Sequence, residues 1–172
     1  MELLTIRGDW KNPSVIFNPN GKLQIWGRSL PENALDTYNP IFKWLDIYKQ
    51  NPSDITEVDF KLEYFNTTSS KLIYEIFKKL EEIKNKWNQI SVKWHHEADD
   101  PDMQEEGKLL SNIIKVNIEL ISVDEFDFNY WNSFSNTFTS KINGELGGTF
   151  PSTPPSDLKA NEGGISPSTW SP

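Results

Sequence analysis

The chain has 172 residues, with 17 basic and 25 acidic side chains and a formal net charge of -8. This balance argues against a nucleic-acid binder, which needs a basic surface, and against docking on anionic membranes. The chain has no cysteine, which excludes disulfides, zinc–thiolate sites and thiol catalysis and makes a reducing cytoplasm the expected location. The first ten residues contain no long apolar run, so we expect no signal peptide. No stretch of the sequence approaches the roughly 18 apolar residues of a membrane span, so we expect none.

The composition changes near residue 128. Residues 129–172 hold five of the nine glycines, five of the eleven prolines and only five charged side chains, together with eight serines and five threonines. Chain of this kind buries too little apolar surface to offset the entropy lost on ordering. We therefore predict a globular domain over residues 1–128 and a disordered, flexible C-terminal tail over residues 129–172.

Apolar periodicity predicts alternating strands and helices in the first 128 residues. Val15–Phe17 and Lys22–Gly27 flank an Asn-Pro-Asn-Gly turn, which is typical of a β-hairpin. Further along the chain the pattern predicts a helix at 31–50, a strand at 54–65, a helix ending near Trp87, a strand at 89–94, a helix from Pro101 and a strand at 116–123. Pro40 predicts a kink in the first helix, or a break after which Asn39 caps the second part. Strands that alternate with helices predict an α/β fold with a largely parallel sheet and the hairpin at its antiparallel edge.

Four consecutive hydroxyl residues follow the strand at 54–65, where the next helix begins: Thr67, Thr68, Ser69 and Ser70. One threonine would suffice to cap the helix, because its side chain accepts from the N–H groups of the first turn. A second interpretation is phosphorylation, since a phosphate at a helix N-terminus meets free N–H groups and the positive end of the helix dipole. The residues alone leave both interpretations open.

The histidines offer an alternative of another class. His95 and His96 are followed by an acidic stretch that includes Glu97 and Asp99, and a metal-dependent hydrolase built on His95, Glu97 and Asp99 is conceivable. Adjacent residues of a strand point to opposite faces, however, so the two imidazoles are not expected to reach one ion. The simpler interpretation is a solvated acidic loop that complements the dipole of the following helix. A passive scaffold domain is the third possibility.

Five segments resemble the SiaC family of bacterial regulatory phosphoproteins. They are Gly27–Ala34, Phe42–Tyr48, Tyr64–Lys71, Val92–His95 and Asp102–Gly107. Their order and spacing resemble the family over about residues 8–125, and the Gly-Arg-Ser-x-Pro-Glu-Asn and Tyr-Phe-Asn-Thr stretches are fairly specific in combination. The tail after residue 128 is not part of the family pattern.

The resemblance implies a STAS-like mixed sheet, similar to that of anti-sigma-factor antagonists, and a non-enzymatic switch protein without a cofactor or metal. It further implies a dedicated kinase and a PP2C-type phosphatase that act on the protein. By the same resemblance, the unphosphorylated form binds an output protein such as a diguanylate cyclase and controls cyclic-di-GMP signalling and biofilm formation.

The resemblance also implies site residues. The phosphorylated threonine of the family follows the asparagine and corresponds to Thr67, but Thr68 stands where the family usually has serine, so either is the acceptor. The loop at 27–33 borders the switch if the strand before it neighbours the strand at 54–65. Arg28 in that loop then contacts a phosphate or a partner carboxylate, or it is an ordinary surface charge or part of a local ion pair. Lys71 either steadies a phosphate or faces water. The expected surroundings of the switch and partner surface are Arg28, Glu32, Asn33, Asn66, Ser69 and Lys71.

Overall fold

The computed structural model describes residues 1–84 and 88–126, which form six strands and three helices. The strands are β1 (Leu4–Ile6), β2 (Ser14–Phe17), β3 (Lys22–Ser29), β4 (Ile55–Phe65), β5 (Gln89–Glu97) and β6 (Asn117–Val123). The helices are α1 (Ala34–Tyr48), α2 (Thr67–Ile83) and α3 (Pro101–Ile113). The predicted tail and Trp87 lie outside these residues. Among the helices of this part of the chain, none combines the length and apolar character that crossing a bilayer requires.

The six strands form one sheet in which the spatial order is the chain order, β1 to β6. β1, β2 and β3 pair antiparallel, and β3 to β6 pair parallel, which confirms the predicted mixed sheet, largely parallel with an antiparallel edge. β1 extends the antiparallel edge and was not predicted, because three residues are too few to show an alternating pattern. Each right-handed crossover adds the next strand on the same side, so α1, α2 and α3 share one face of the sheet.

The core lies between that face and the three helices. Alternate residues of β4 (Thr56, Val58, Phe60 and Leu62) are buried, and the residues between them are partly exposed. Phe60 stacks on Trp94 of β5, with ring centroids 5.5 Å apart, and lies 5.2 Å from Phe77 of α2. The indole N–H of Trp94 donates to the Met103 carbonyl of α3. Trp94 and Phe77 are therefore core residues.

Helix α1 differs from the prediction at two places. It begins at Ala34 rather than Pro31, because Asn33 is its N-cap, and it continues through Pro40 without the break and recapping by Asn39. The stripe that spans the proline is buried: Tyr38 and Ile41 are 0% exposed and Leu45 is 1% exposed. Burial of such side chains contributes about 1.5–3 kcal/mol each, which offsets the roughly 3 kcal/mol that proline costs inside a helix.

Replacing Pro40 with alanine is expected to stabilise the protein. Alanine allows an N–H bond to the preceding turn and removes the ring clash, which together stabilise the folded state by roughly 3 kcal/mol. The greater conformational entropy of the unfolded chain without proline reduces this gain by about 1 kcal/mol. We expect the free energy of unfolding in urea to rise by about 1–2 kcal/mol. Asn39→Ala, at the exposed neighbouring position, is the control and is expected to change stability by no more than about 0.5 kcal/mol. A less stable Pro40→Ala protein would contradict this account of α1.

Candidate functional site

The hydroxyl cluster lies at the carboxyl edge of the sheet, where β3 and β4 end side by side. Ser29, the last residue of β3, is in register with Phe65, the last residue of β4. The N–H of Asn66, immediately after β4, donates to the Ser29 carbonyl at 3.1 Å. The segment that follows β3 therefore borders the first turn of α2, as expected if these two strands are neighbours.

A register shift between Gly27 and Arg28 orients the end of β3. Gly27 has φ of +95°, in the left-handed region that glycine occupies without a Cβ clash. Beyond the shift, Ser29 is fully buried beneath the helices while Arg28 is exposed. The shift thus directs a hydroxyl into the interior, against the start of α2.

The N-terminus of α2 is capped by Asn66, not by a threonine. The Asn66 side-chain oxygen accepts from the Ser69 N–H at 2.8 Å. A helix N-terminus leaves four N–H groups without intrahelical acceptors, and those of Asn66 and Ser69 are satisfied as described. In the described part of the chain, the N–H groups of Thr67 and Thr68 have no acceptor. The interpretation that a threonine caps the helix is wrong, because Asn66 precedes both threonines and asparagine is a stronger capping residue than threonine.

Ser69 is buried and anchors α2 to β3. The Ser29 hydroxyl donates to Ser69 Oγ at 2.8 Å, and the Ser69 hydroxyl donates to the Ser29 carbonyl at 3.0 Å. The Tyr38 hydroxyl of α1 lies 2.7 Å from Ser29 Oγ, and because the Ser29 proton is directed to Ser69, Tyr38 is the donor. Ser69 was expected near the switch, and it is there, but it is 0% exposed and cannot contact a partner in this conformation.

Thr67 and Thr68 are both exposed. Neither hydroxyl has a hydrogen-bond partner within residues 1–84 and 88–126, and neither is needed for capping. Both hydroxyls are therefore accessible from solvent. The two free N–H groups of the same turn lie at the positive end of the helix dipole, which favours an anion.

Arg28 forms a local ion pair. Its Nε and Nη2 donate to the two carboxylate oxygens of Glu63 at 2.7 and 3.0 Å, an exposed bidentate pair on the outer face of the sheet. This is the local interaction that the sequence left open. The guanidinium contacts a phosphate or a partner carboxylate only if it exchanges Glu63 for the new acceptor.

The other predicted residues surround the same edge with different roles. Glu32 is exposed and pairs with Lys11 at 2.7 Å, which lowers the pKa of Glu32 through the hydrogen bond from that lysine. Asn33 is the N-cap of α1 and accepts from the Asp36 N–H. Lys71 is exposed one turn into α2 and has no ion-pair partner in the described residues.

The histidine cluster does not assemble a metal site. His95 Nε2 donates to Asp59 across the open face of the sheet at 3.1 Å, and this hydrogen bond lowers the pKa of Asp59. His96 is buried on the opposite face, where its Nδ1 donates to the Glu97 carbonyl. Among residues 1–84 and 88–126, no three His, Cys, Asp or Glu side chains converge closely enough to hold an ion. The alternative built on His95, Glu97 and Asp99 therefore has no geometric support.

Residues 6–123 match the model of the SiaC family of regulatory phosphoproteins. The chain belongs to the SiaC family. A relative, an uncharacterized protein of Pseudomonas aeruginosa strain UCBPP-PA14, is 29% identical over 92 residues, which cover 54% of this chain and 67% of the relative.

Solved SiaC structures have the same fold. SiaC of Pseudomonas aeruginosa in complex with the diguanylate cyclase SiaD, which it activates, aligns with a TM-score of 0.65 and 23% identity over 70% of this chain and 99% of SiaC. Apo-SiaC from the same organism aligns with a TM-score of 0.64 and 24% identity over the same shares of the two chains. The SiaC-family region of the present chain contains every site residue named above and ends before residue 129.

Three participants of the site were not predicted as such. Ser29 and Tyr38 hold Ser69, and Glu63 holds Arg28. The bond between Ser29 and Ser69 joins residues 40 positions apart, and in the sequence Tyr38 is only one of several large apolar residues at helical spacing within 31–50. No local pattern signals these pairings, although Ser29 lies within the Gly-Arg-Ser segment that carries the resemblance.

The capping assignment predicts different costs for neighbouring substitutions. Asn66→Ala removes the acceptor of the Ser69 N–H and is expected to lower the free energy of unfolding by about 1 kcal/mol. Thr67→Ala and Thr68→Ala remove exposed hydroxyls without partners and are expected to change it by less than about 0.5 kcal/mol. Urea denaturation of the three variants makes the comparison. A larger loss of unfolding free energy for Thr67→Ala than for Asn66→Ala would show that Thr67, not Asn66, caps the helix.

The buried Tyr38 predicts a loss of stability in alkali. Burial raises the pKa of Tyr38 to about 12 because it penalises the phenolate, whereas tyrosine in the unfolded chain ionises near pH 10. Its contribution is therefore fully present below about pH 10 and is lost as the pH rises to about 12. Urea denaturation between these pH values is expected to show a steeper decline for the native sequence than for Tyr38→Phe, by about 2–3 kcal/mol. An equal decline of unfolding free energy in the native sequence and in Tyr38→Phe would show that ionisation of Tyr38 does not contribute to the loss of stability.

Proposed function

We propose that the protein is a non-enzymatic switch whose reversible phosphorylation on Thr67 controls binding to a diguanylate cyclase. The observation that supports this most directly is the exposed pair of threonines at a helix N-terminus whose own N–H groups are free. The pair lies within the region that matches the SiaC regulatory phosphoproteins. The cyclase is inferred from the solved complex of Pseudomonas aeruginosa SiaC with the diguanylate cyclase SiaD.

Thr67 is the first choice of acceptor and Thr68 the second. Thr67 directly follows Asn66, as the phosphorylated threonine does in the family pattern. Both side chains are exposed, so accessibility alone does not separate them. The kinase, the PP2C-type phosphatase and the control of cyclic-di-GMP signalling and biofilm formation are proposed from the same family resemblance. The cytoplasmic location is proposed from the cysteine-free sequence.

The phosphoryl group acts as a local charge. It adds about -1.5 to -2 charges at neutral pH, next to the free N–H groups of the first turn, which favour an anion there. Lys71 follows Thr67 by four residues, on the same side of the helix, and is available as a counter-charge. The fold therefore tolerates the modification. A partner that fits the unmodified threonine must instead bury or displace a hydrated dianion, and its binding is lost.

Phosphorylation is tested by intact mass and site mapping. The protein purified from its native host is expected to contain a species heavier by about 80 Da, the mass of one phosphoryl group, that disappears on treatment with a PP2C-type phosphatase. Incubation of Thr67→Ala with the cognate kinase is expected to leave its mass unchanged, whereas Thr68→Ala incorporates phosphate as the native sequence does. Phosphate on Thr68 in the Thr67→Ala protein would overturn the assignment.

The consequence for the partner is measured separately. The unphosphorylated chain and Thr68→Ala are expected to bind a diguanylate cyclase of the same organism and to change its cyclic-di-GMP output. The Thr67-phosphorylated chain is expected to bind at least about tenfold more weakly, a difference of roughly 1.4 kcal/mol. Equal binding by the two forms would contradict the switch, even if Thr67 is the acceptor.

A further inference from the structure

Thr67 and Thr68 differ in direction rather than in chemistry. Both are exposed threonines in the first turn of α2. Consecutive residues of an α-helix are rotated by about 100° around its axis, so the two hydroxyls face different directions from the surface of the domain. An enzyme that binds the folded domain therefore distinguishes the two threonines by the orientation of this turn.

The orientation of the first turn is fixed on both sides of the threonines. Before them, the Asn66 N–H donates to the Ser29 carbonyl at 3.1 Å. After them, the Ser69 hydroxyl donates to the same carbonyl at 3.0 Å, and Ser69 Oγ accepts from the Ser29 hydroxyl at 2.8 Å. Rotation of the turn about the helix axis breaks these bonds, so the directions of both threonines are set by Ser29 of β3.

Helix α1 has two buried tyrosine hydroxyls, and one of them supports this anchor. The Tyr38 hydroxyl lies 2.7 Å from Ser29 Oγ, and buried hydrogen bonds that follow one another in a chain strengthen one another. The Tyr48 hydroxyl, about 15 Å farther along α1, lies 2.8 Å from Thr56 Oγ1 near the start of β4. Both tyrosines are 0% exposed, so they differ mainly in the strand hydroxyl that each one contacts.

We propose that Ser69, held by Ser29 and Tyr38, is a positioning residue that determines the choice of Thr67 over Thr68 as the phosphate acceptor. The inference rests on the function proposed above and names what gives that modification its specificity. Ser69 is 0% exposed, so it acts through the orientation of the turn and not through contact with the kinase.

Removal of the Ser69 hydroxyl releases one side of the turn. The Ser29 hydroxyl loses its acceptor, and the Asn66 N–H is the bond that still joins the start of α2 to Ser29. Helix ends that lose such contacts open locally at low cost in free energy. In an opened turn, Thr68 reaches the direction that Thr67 has in the native fold, and the kinase modifies both.

The choice of acceptor is measured on the full chain as the ratio of phosphate on Thr67 to phosphate on Thr68. Each variant is incubated with the cognate kinase. Trypsin then releases both threonines in one peptide, residues 62–71, since one lysine precedes it and another ends it, and fragmentation in the mass spectrometer locates the phosphate. Ser69→Ala is expected to lower the ratio at least about tenfold, in line with the loss of a buried hydrogen bond.

Ser70→Ala is the matched control, because it makes the same change one residue farther along α2. Ser70 is partly exposed, and its hydroxyl has no hydrogen-bond partner within residues 1–84 and 88–126. The ratio is expected to change by less than about twofold in this variant. An equal fall of the ratio in Ser70→Ala and Ser69→Ala would overturn the inference, since the choice of acceptor would then follow the sequence around the threonines.

Tyr38→Phe and Tyr48→Phe form a second matched pair, which separates positioning from overall stability. Each removes one buried hydroxyl from α1, but only Tyr38→Phe is expected to lower the ratio, by at least about threefold. Urea denaturation compares the stability of the two variants. If circular dichroism shows that Ser69→Ala does not fold, this pair decides the inference, and an equal effect of the two substitutions on the ratio overturns it.

The same measurement separates this inference from the proposed function. Phosphate on Thr67 alone in a folded Ser69→Ala protein overturns the positioning role of Ser69 and leaves the proposed function standing. Phosphate on both threonines of the native chain in similar amounts overturns the selection of Thr67. A native chain that accepts phosphate on neither threonine overturns the proposed function and this inference together.

Discussion

The arrangement of the switch depends on the buried hydrogen bonds between Ser29 and Ser69. The Ser29 carbonyl accepts from both the Ser69 hydroxyl and the Asn66 N–H, which uses both lone pairs of that oxygen. The Ser29 hydroxyl in turn donates to Ser69, and Tyr38 connects the pair to α1. Because an unsatisfied polar group in this interior costs about 1–3 kcal/mol, the first turn of α2 has one favourable position against β3. Thr67 and Thr68 are consequently presented at a fixed place on the surface.

Adjacent residues at the start of α2 have separate roles, and this separation makes phosphorylation compatible with folding. Asn66 caps the helix and Ser69 anchors it to the sheet. If Thr67 were the cap, its hydroxyl would accept from the first turn, and modification would compete with a bond that stabilises the helix. Because Asn66 fills that role, a phosphoryl group on Thr67 adds an anion at a position where anions are favourable and removes no bond of the native fold.

The sequence predicted the alternation of elements because period-two and period-3.6 apolar patterns are local, and the spatial order of the strands follows from short right-handed connections. Prediction from the sequence failed where contacts between residues far apart in the chain determine the structure. Pro40 argued for a broken α1, but burial of Tyr38 and Ile41 on either side keeps the helix continuous. The position of the hydroxyl cluster was predicted, yet the roles of its members were not, since the partner of Ser69 is 40 residues away and that of Arg28 is 35 residues away. The resemblance favours Thr67 over Thr68 as the acceptor, a preference that helix propensity alone does not give.

The distribution of charge determines whether a phosphoryl group is electrostatically favourable at a given place on the domain. Residues 1–128 carry 15 basic and 22 acidic side chains, so a further dianion is generally unfavourable for this domain. At the start of α2, however, free N–H groups and the helix dipole reduce that cost locally, and Lys71 is near. A phosphoryl group at the start of α2 is therefore tolerated by the isolated domain and is unfavourable in a complex that covers Thr67. Such a difference between two states is what a switch requires, because a modification shifts a binding equilibrium only by the difference between its free energies in the free and bound forms.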